Sequence, residues 1–509
     1  MPPRDVIGRP ASALVPRTRA TWLAFTAVAV IVLVQAWAYY SVLPLSLGPR
    51  VIMQPWLMNQ PGFLAYEQIA DQHTPLMPLV ISWFVPVAPD GWHLARVFLV
   101  ALLSATTLLT WWGGRRVSGP LGGLIAAAFF VCWTGPFGYA KLWHESFLAP
   151  LYAALLILFR PPGPARSPMS LAGAGAICGV ALLAKQHAAA VLLAFIFWNL
   201  ITGWLARRPW RELAASASLV SLSAAVPVTL YGMWHWWRAG TLANLWFWTV
   251  KFSFVSGYAS LARQPATPAD VWQVGPAFLI VLVALFGLIR HVRHGDPSWQ
   301  PLGWALVLLA ASGLTVYPRF EAFHLQASLP ALGYLCASTL VPVRKTTGPR
   351  GRGLLVGVGP AAVAVTIGVT SIVALAGTCR SAVFPAGARV THEYSDLEPL
   401  AAGIRRVIDS TGELCVFPDD EATANIYYLL RRPPRRFWVF TYPWYMIPPV
   451  RERILRTLGD APPRWVVHPV GRWGVDRFAP DILAYLRDNY VARARLRWEQ
   501  GTIEVLERR

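Results

Sequence analysis

Residues 93–137 read HLARVFLVALLSATTLLTWWGGRRVSGPLGGLIAAAFFVCWTGPF. Two apolar runs, 93–113 and 119–137, flank a short segment that contains Arg115 and Arg116. Each run is close to the ~20 residues that a helix needs to cross a bilayer. The stretch therefore predicts two membrane-spanning helices joined by a short basic turn.

Similar apolar runs recur along the chain, of which 55% is hydrophobic and only 14% charged, whereas soluble domains are about a quarter charged. A further apolar stretch, 75–89, is short and bounded by prolines, so it predicts a re-entrant or interfacial helix rather than a span. We predict a mostly α, polytopic helix bundle with about eleven spans. The predicted spans are 21–43, 93–113, 119–137, 147–160, 168–184, 188–205, 213–235, 274–290, 301–317, 324–342 and 354–377.

The acidic residues divide the chain into two parts. Residues 1–377 contain nine of the 25 acidic residues, and residues 378–509 contain the other sixteen. We therefore predict a transmembrane domain over 1–377 and a small soluble α/β domain over 378–509. Alternating elements predict a sheet with helices packed on it. The predicted helices are 398–408, 421–430 and 479–490, the strands are 414–417, 436–440 and 465–470, and a terminal hairpin joins 493–498 to 502–506.

The positive charge predicts the orientation of the chain. The net charge of +20 could suggest nucleic-acid binding, but the Arg and Lys residues lie mostly in short segments between apolar runs. With the N-terminus in the cytoplasm, the inner segments carry seventeen Arg and Lys residues and the outer side carries eight. Inner loops of membrane proteins are enriched in these residues. We expect a multi-pass inner-membrane protein with an extracytoplasmic C-terminal domain and no nucleic-acid partner.

The five cysteines show no spacing typical of a metal site. Cys379 and Cys415 both fall on the predicted outer side, where disulfides persist, and the other three lie in spans. A disulfide between Cys379 and Cys415 is therefore expected.

The first predicted outer loop, 44–92, contains the sequence GFLAYEQIADQHTPL at residues 62–76. Glu67, Asp71 and His73 lie within seven residues of one another. If this stretch is helical, Glu67 and Asp71 share one face, because they are four residues apart. A solvated loop is the alternative interpretation. The scarcity of acids in the membrane part favours a functional site.

A second acidic candidate is Glu145, in the sequence KLWHES at 141–146, where a predicted span begins. An acid at the membrane edge is costly, which makes it a candidate for function. The alternative is an acid that interacts with the positive end of a helix dipole.

The order of several motifs resembles that of GT-C class membrane glycosyltransferases. The closest likeness is to the bacterial branch of protein mannosyltransferases and aminoarabinose transferases, and it covers nearly the whole chain. The first-loop motif, Gly62-x3-Tyr66-Glu67 followed by His73-x-Pro75-Leu76, resembles the first external loop of that class. The other matching segments are Leu94-Ala-Arg96, Arg115-Arg116-x-x-Gly119, Leu183-Ala-Lys185-Gln186 and Tyr317–Pro330.

The resemblance implies the transfer of a sugar from a polyprenyl-phosphate donor to a lipid, glycan or protein acceptor on the outer face. The class usually places a catalytic Asp just after the first span, whereas residues 41–62 here contain no acid. We therefore expect Asp71 to act as the base and Glu67 as its supporting partner or as a metal ligand, with Tyr66 and His73 beside them. Glu145 is the next candidate. A divalent cation, Mg or Mn, is left open.

A lipid phosphate that leaves the sugar needs fixed positive charge nearby. The outer-side candidates are Lys141, Lys185, Arg319 and His324. Lys185 and Arg319 could instead extend toward the membrane interface, and His324 could be a hydrogen-bonded residue at a helix end. A transporter or flippase, or a scaffold without activity in cell-envelope glycan assembly, remains the alternative function. Transporters often contain internal repeats and charges near the middle of a span. The sequence shows neither feature, so it does not favour a transporter.

Overall fold

The computed structural model describes residues 19–43, 45, 51–88, 90–159, 167–255, 257–261, 263–295, 299–341, 358–380, 396–409, 413–420, 422–434 and 437–509. The membrane part is helical, and a helix coincides with each of the eleven predicted spans. Its α-helices are α1 (Arg19–Trp37), α2 (Met53–Leu57), α3 (Leu76–Phe84), α4 (Gly91–Trp133), α5 (His144–Leu158), α6 (Pro168–Ala184), α7 (Ala188–Leu205), α8 (Trp210–Ala239), α9 (Ala243–Trp246), α10 (Phe252–Val255), α11 (Tyr258–Leu261), α12 (Pro268–Val274), α13 (Leu279–Arg293), α14 (Trp299–Gly313), α15 (Leu329–Leu340) and α16 (Val358–Arg380).

Six helical segments within the described ranges are long and apolar enough to cross a membrane. Other apolar helices, including α3, α5 and α6, are shorter. The count of eleven spans therefore stays a prediction, and so does the interfacial position of α3. The six segments are Arg19–Val42, Gly91–Trp133, Ala188–Leu205, Trp210–Ala239, Pro268–Arg293 and Trp299–Val316.

The quoted stretch 93–137 forms the helical hairpin that its sequence predicts. The backbone of α4 leaves the helical conformation at Ser118 and at Gly119, where φ is 75°. The two arms of α4 on either side of this turn pack closely. A Cβ atom at Gly123 would lie only 2.8 Å from the carbonyl oxygen of Trp111. Glycine is required there, since real Cβ atoms do not approach so closely.

Several helix termini meet at one end of the bundle. Asp90 caps α4 by accepting a hydrogen bond of 2.6 Å from the backbone N–H of His93. Residues 51–88, which precede this cap, lie at the same end of the bundle as the start of α5 and the end of α6. We call this end of the bundle the loop end. The hairpin turn at Gly119 lies at the far end of the first arm of α4, roughly 40 Å away at 1.5 Å per residue.

The C-terminal region forms a sheet with helices, but the predicted strand 436–440 does not join that sheet, and the helix Pro448–Asp460 was not predicted. Strands β2 (Leu414–Val416), β4 (Trp465–Pro469), β6 (Gly501–Arg508) and β5 (Tyr490–Trp498) lie in that spatial order, with β2 parallel to β4 and the other pairs antiparallel. The boundary between the two domains stays a prediction. The helices of this region are α17 (Leu397–Val407), α18 (Asn425–Leu430), α19 (Pro448–Asp460), α20 (Val475–Phe478) and α21 (Pro480–Asn489).

A second, two-stranded sheet joins the first loop to the C-terminal region. Strand β1 (Ile69–Ala70) pairs in parallel with β3 (Trp438–Val439). The stretch that carries Glu67 and Asp71 is thus a turn followed by a strand, and Tyr66 adopts a left-handed φ of 69°. The helical face that would have joined Glu67 and Asp71 does not exist, because the backbone hydrogen bonds of this stretch pair with β3.

The expected disulfide is wrong. Cys379 and Cys415 both carry free thiols. Cys415 lies within β2, opposite Val466 of β4, whereas Cys379 is exposed at the end of α16. Their shared predicted side of the membrane says nothing about their separation in space, and disulfide formation requires that the two Cα atoms lie within about 7 Å.

Candidate active site

A buried carboxylate at the loop end is bound by a lysine and a histidine. Glu145 lies in the first turn of α5 and is completely buried. Its Oε1 accepts a short hydrogen bond from Lys185 Nζ and lies 2.5 Å from His324 Nδ1. We call these three residues the Glu145 group. Three segments far apart in sequence supply one member each.

The helix ends explain how the Glu145 group assembles. Lys185 is the residue that ends α6, and His324 belongs to a 3₁₀ helix over Ala322–Ser328 that precedes α15. The three side chains therefore lie at the same end of the bundle. Glu145 Oε2 is buried and has no hydrogen-bond partner among the described residues. The group can therefore accept one more hydrogen bond from a ligand.

Asp71 lies in the first loop and binds its near neighbour His73. Asp71 Oδ1 accepts a hydrogen bond of 3.1 Å from the His73 backbone and lies 2.9 Å from His73 Nδ1. The ring of His73 stacks on that of His144, with centroids 4.6 Å apart. Because His144 directly precedes Glu145, this stack connects Asp71 to the Glu145 group. The structure thus brings Asp71, His73, Glu145, Lys185 and His324 together.

Tyr66 holds the same loop through a hydrogen bond. Its hydroxyl donates a hydrogen bond of 2.8 Å to the carbonyl oxygen of His73. Burial raises the pKa of Tyr66 well above its ordinary value, and the nearby Tyr231 and Asp71 add to this shift. The hydroxyl therefore stays protonated, so it holds the loop as a donor.

Glu67 faces a different set of partners. Its Oε2 accepts a hydrogen bond of 2.5 Å from Asn244 Nδ2, and its Oε1 lies 3.6 Å from Nε2 of the buried His235. Its backbone carbonyl accepts one from Arg453 of the C-terminal region, at 2.7 Å. Glu67 thus contacts α8 and α9, whereas Asp71 contacts His73. Its role as the supporting partner of Asp71 stays a prediction.

The other two predicted phosphate-binding cations surround a different acid. Arg319 Nη2 lies 2.5 Å from Glu321 Oε1, and Lys141 Nζ lies 3.9 Å from Glu321 Oε2. We call these three residues the Glu321 group. All three side chains are partly exposed to solvent. The ring of Trp143 contacts that of His144, the residue before Glu145, and Lys141 Nζ of the Glu321 group lies 5.3 Å from its centroid.

The two groups place four basic side chains, Lys185, His324, Arg319 and Lys141, at the loop end. Each of them contacts a carboxylate in this structure, so an anionic ligand would compete with Glu145 or Glu321 for it. Fixed cations of this kind stabilise the charge that develops on a leaving phosphate. A carboxylate such as Asp71 can accept a proton from an attacking hydroxyl.

The described side chains do not form a metal site. No group of three or more His, Cys, Asp or Glu side chains within the described ranges is placed to hold a metal ion. Glu67 and Asp71 bind different partners and do not converge on a shared position. The arrangement does not fit a cation bound between these two carboxylates.

Several residues that organise the site are not among the sequence-based candidates. Gln326 donates hydrogen bonds to the carbonyls of Gly138 and Lys141 and accepts one of 2.7 Å from Ser146. His144 could have been found, because it adjoins Glu145 in the same short motif. Gln326 lies in the segment Tyr317–Pro330, which also contains His324. Nothing in the sequence signals the pairing of His235 with Glu67.

The chain has the same fold as two solved structures, which confirms the fold expected from the motif order. The crystal structure of ArnT from Cupriavidus metallidurans bound to undecaprenyl phosphate matches with a TM-score of 0.61 over 96% of this chain and 98% of that one, at 14% identity. Archaeal oligosaccharyltransferase AglB from Archaeoglobus fulgidus, in complex with an inhibitory peptide and a dolichol-phosphate, matches with a TM-score of 0.57. That match covers 95% of this chain and 74% of AglB, at 12% identity. No family model and no curated protein sequence matches the chain.

Proposed function

We propose that the protein transfers a sugar from a polyprenyl-phosphate donor to a lipid, glycan or protein acceptor. The observation that carries the proposal is the Glu145 group beside Asp71 and His73, at one end of a bundle with the GT-C fold. Two structures with that fold were determined with undecaprenyl phosphate and with a dolichol-phosphate. The transferred sugar in the proposed reaction is a hexose or a pentose.

We propose that the loop end faces away from the cytoplasm in the inner membrane. The segments at the opposite end of the bundle contain more Arg and Lys residues than those at the loop end, which supports a cytoplasmic N-terminus. An alkaline phosphatase fused after Arg509 should then be active, and a reporter that works only in the cytoplasm should be silent there. The reverse result would place the site on the cytoplasmic side and exclude an extracytoplasmic acceptor.

The donor phosphate would bind the cations of the two groups. Lys185 and His324 lie in the buried Glu145 group, and Arg319 and Lys141 lie nearer to solvent. The phosphate would replace part of the interaction of Lys185 with Glu145. Before the donor binds, Glu145 would balance the charge of Lys185 and hold Lys185 and His324 in position.

Asp71 is the proposed general base. It would accept the proton of the acceptor hydroxyl as that oxygen attacks the anomeric carbon and the lipid phosphate leaves. His73 holds the carboxylate in place through the two contacts to Oδ1. Glu67 is the proposed supporting acid, and Glu145 is the alternative base. A divalent cation stays an untested expectation, which the effect of EDTA on transfer would decide.

The test is a transfer assay on purified protein with a panel of polyprenyl-phosphate sugars. Asp71→Asn keeps the shape of the side chain and removes its charge, so kcat should fall roughly 10²- to 10⁴-fold. Asp90→Asn is the matched control in the same loop. Asp90 serves as the cap of α4, and Asn caps a helix equally well. This control should therefore retain its activity.

The outcomes separate the assignments. If Asp71→Asn and Glu67→Gln each retain full activity, the first loop does not supply the base, and Glu145 takes its place. If the wild-type protein transfers no sugar from any donor in the panel, a transporter or a scaffold becomes the better description.

A further inference from the structure

Asp71 and the three residues that follow it lie outside any helix or strand. The Gln72 carbonyl accepts a hydrogen bond of 2.9 Å from Gln186 of the membrane part, and Asp71 binds its near neighbour His73. A segment of this kind can move easily unless other elements hold it. The positions of its neighbours therefore decide where the carboxylate of Asp71 lies.

The C-terminal region supplies backbone contacts on both sides of Asp71. On the N-terminal side, β1 pairs with β3, and the Trp438 N–H donates to the Gln68 carbonyl at 2.7 Å. On the C-terminal side, the N–H of Gln72 donates to the hydroxyl of Tyr445 at 3.3 Å. Asp71 thus lies between two points of attachment to the C-terminal region.

We infer that the C-terminal region sets the position of Asp71, and that Tyr445 is a positioning residue for it. The inference rests on the proposed function, in which Asp71 is the base. It gives the C-terminal region a part in catalysis without contact to either substrate. The region would hold the loop from both sides so that the carboxylate stays at one place.

Tyr445 is well suited to this role because its own side chain is fixed. It is completely buried, and its ring packs against Phe252 and Trp248 with centroids 5.0 Å and 6.1 Å away. Those two aromatic residues belong to the membrane part of the chain. The hydroxyl therefore forms a rigid link between the helix bundle, the C-terminal region and the loop.

Strand β3, which pairs with β1, is also held by hydrogen bonds to Asp419 of the C-terminal region. The buried carboxylate of Asp419 accepts hydrogen bonds from Trp438 Nε1 at 2.6 Å and from Thr441 Oγ1 at 2.8 Å. These bonds hold β3 against the C-terminal sheet. Any displacement of β3 would be passed on to Ile69 and Ala70, the two residues before Asp71.

A second tyrosine of the C-terminal region provides a matched control. The hydroxyl of Tyr428 accepts a hydrogen bond of 2.8 Å from the N–H of Gly91, at the start of α4. It therefore forms the same kind of contact, from the same region, to the same side of the bundle. Gly91 lies twenty residues beyond Asp71 in the sequence and is the first residue of α4.

The experiment compares Tyr445→Phe with Tyr428→Phe in the full-length protein. Each change removes one hydroxyl and leaves the aromatic ring. Because a misplacement of about 1 Å can cost about 100-fold in rate, Tyr445→Phe should lower kcat by roughly 10-fold while the donor KM stays the same. Tyr428→Phe should leave kcat unchanged, even if it lowers the melting temperature as much.

Hydrogen exchange gives a readout that does not depend on activity. Amides of residues 68–73 should exchange faster in Tyr445→Phe than in the wild type, and those in Tyr428→Phe should not change. Equal kcat for wild type and Tyr445→Phe, in a protein that Asp71→Asn inactivates, would overturn the inference. If Asp71→Asn is fully active, the assignment of the base is wrong instead. The exchange of residues 68–73 then still decides whether Tyr445 holds the loop.

Discussion

The Glu145 group and the Glu321 group have nearly the same composition and very different surroundings. Each places two basic side chains around one glutamate at the loop end. The Glu145 side chain is 0% exposed, whereas that of Glu321 is 22% exposed and that of Arg319 is 35% exposed. Exposed ion pairs contribute little to stability, whereas a buried pair that loses one partner leaves an uncompensated charge. The same residue types should therefore respond to mutation in different ways.

The largest effect should follow from Lys185→Ala. This change removes the strongest partner of a fully buried carboxylate and should destabilise the fold by about 3–5 kcal/mol. It should also abolish donor use. Lys185→Ala therefore does not separate donor binding from folding. The melting temperature and the transfer rate, measured together, check this prediction.

A double variant provides the control for Lys185→Ala. In Lys185→Ala/Glu145→Gln, the buried charge is removed together with its partner. Most of the lost stability should return, while donor use stays low, because the cation is still absent. If the double variant is as unstable as the single one, the buried charge is not the cause.

Arg319→Ala should have a smaller and different effect. Because the Glu321 group is exposed, the change should cost at most about 1 kcal/mol of stability. The donor KM should rise by about 10-fold, with little change in kcat, if Arg319 contacts the phosphate. Kinetics at saturating acceptor would show the change. An unaltered donor KM would leave Arg319 as an interface anchor.

The contrast between the two groups also shows what the sequence could reveal. The apolar runs predicted the helices well, because hydrophobic length is a local property of the chain. The four basic residues predicted to bind the phosphate all lie at one end of the bundle, since the order of the spans fixes that level. Their pairing was not predictable, because Lys185 meets Glu145 across 40 residues and His324 meets it across 179.

The first loop shows the same limit more clearly. The spacing of Glu67 and Asp71 suggested a shared helical face, but the loop forms a strand with residues of the C-terminal region. Gln72 and Tyr445 are separated by 373 residues. A local pattern cannot reveal a partner at that distance in the sequence. The residue types of the site were therefore predictable, whereas the backbone that positions them was not.

Removal of the acid from the exposed group should improve donor binding slightly. Glu321→Gln releases Arg319 and Lys141 from their carboxylate, so the donor KM should fall about 2- to 5-fold at low salt, in line with the roughly 0–1 kcal/mol of an exposed pair. The gain should shrink between about 50 mM and about 500 mM NaCl, because salt screens exposed charges. A donor KM that does not change at either salt concentration would contradict a role for these cations in phosphate binding.

A third carboxylate, Asp419, extends the comparison to a buried acid bound by neutral donors. Burial raises the pKa of Asp419 from an ordinary 3.8 to about 8, although the hydrogen bonds from Thr441 and Trp438 oppose this shift. The folded protein therefore holds a proton on Asp419 that the unfolded chain has lost. Its contribution to stability is complete below about pH 4 and is lost as the pH rises toward about 8.

The smallest predicted effect is the loss of this pH dependence in Asp419→Asn, which has no proton to lose. The melting temperature of the wild type should fall between about pH 6 and about pH 9, and the fall should be smaller in Asp419→Asn. The neighbouring Asp420 binds the guanidinium of Arg472, so Asp420→Asn should lower the melting temperature similarly at both pH values. A wild-type melting temperature that is flat over this range would mean that Asp419 is ionised in the folded protein. The hydrogen bonds from Trp438 and Thr441 would then stabilise a buried carboxylate as effectively as Lys185 and His324 stabilise Glu145.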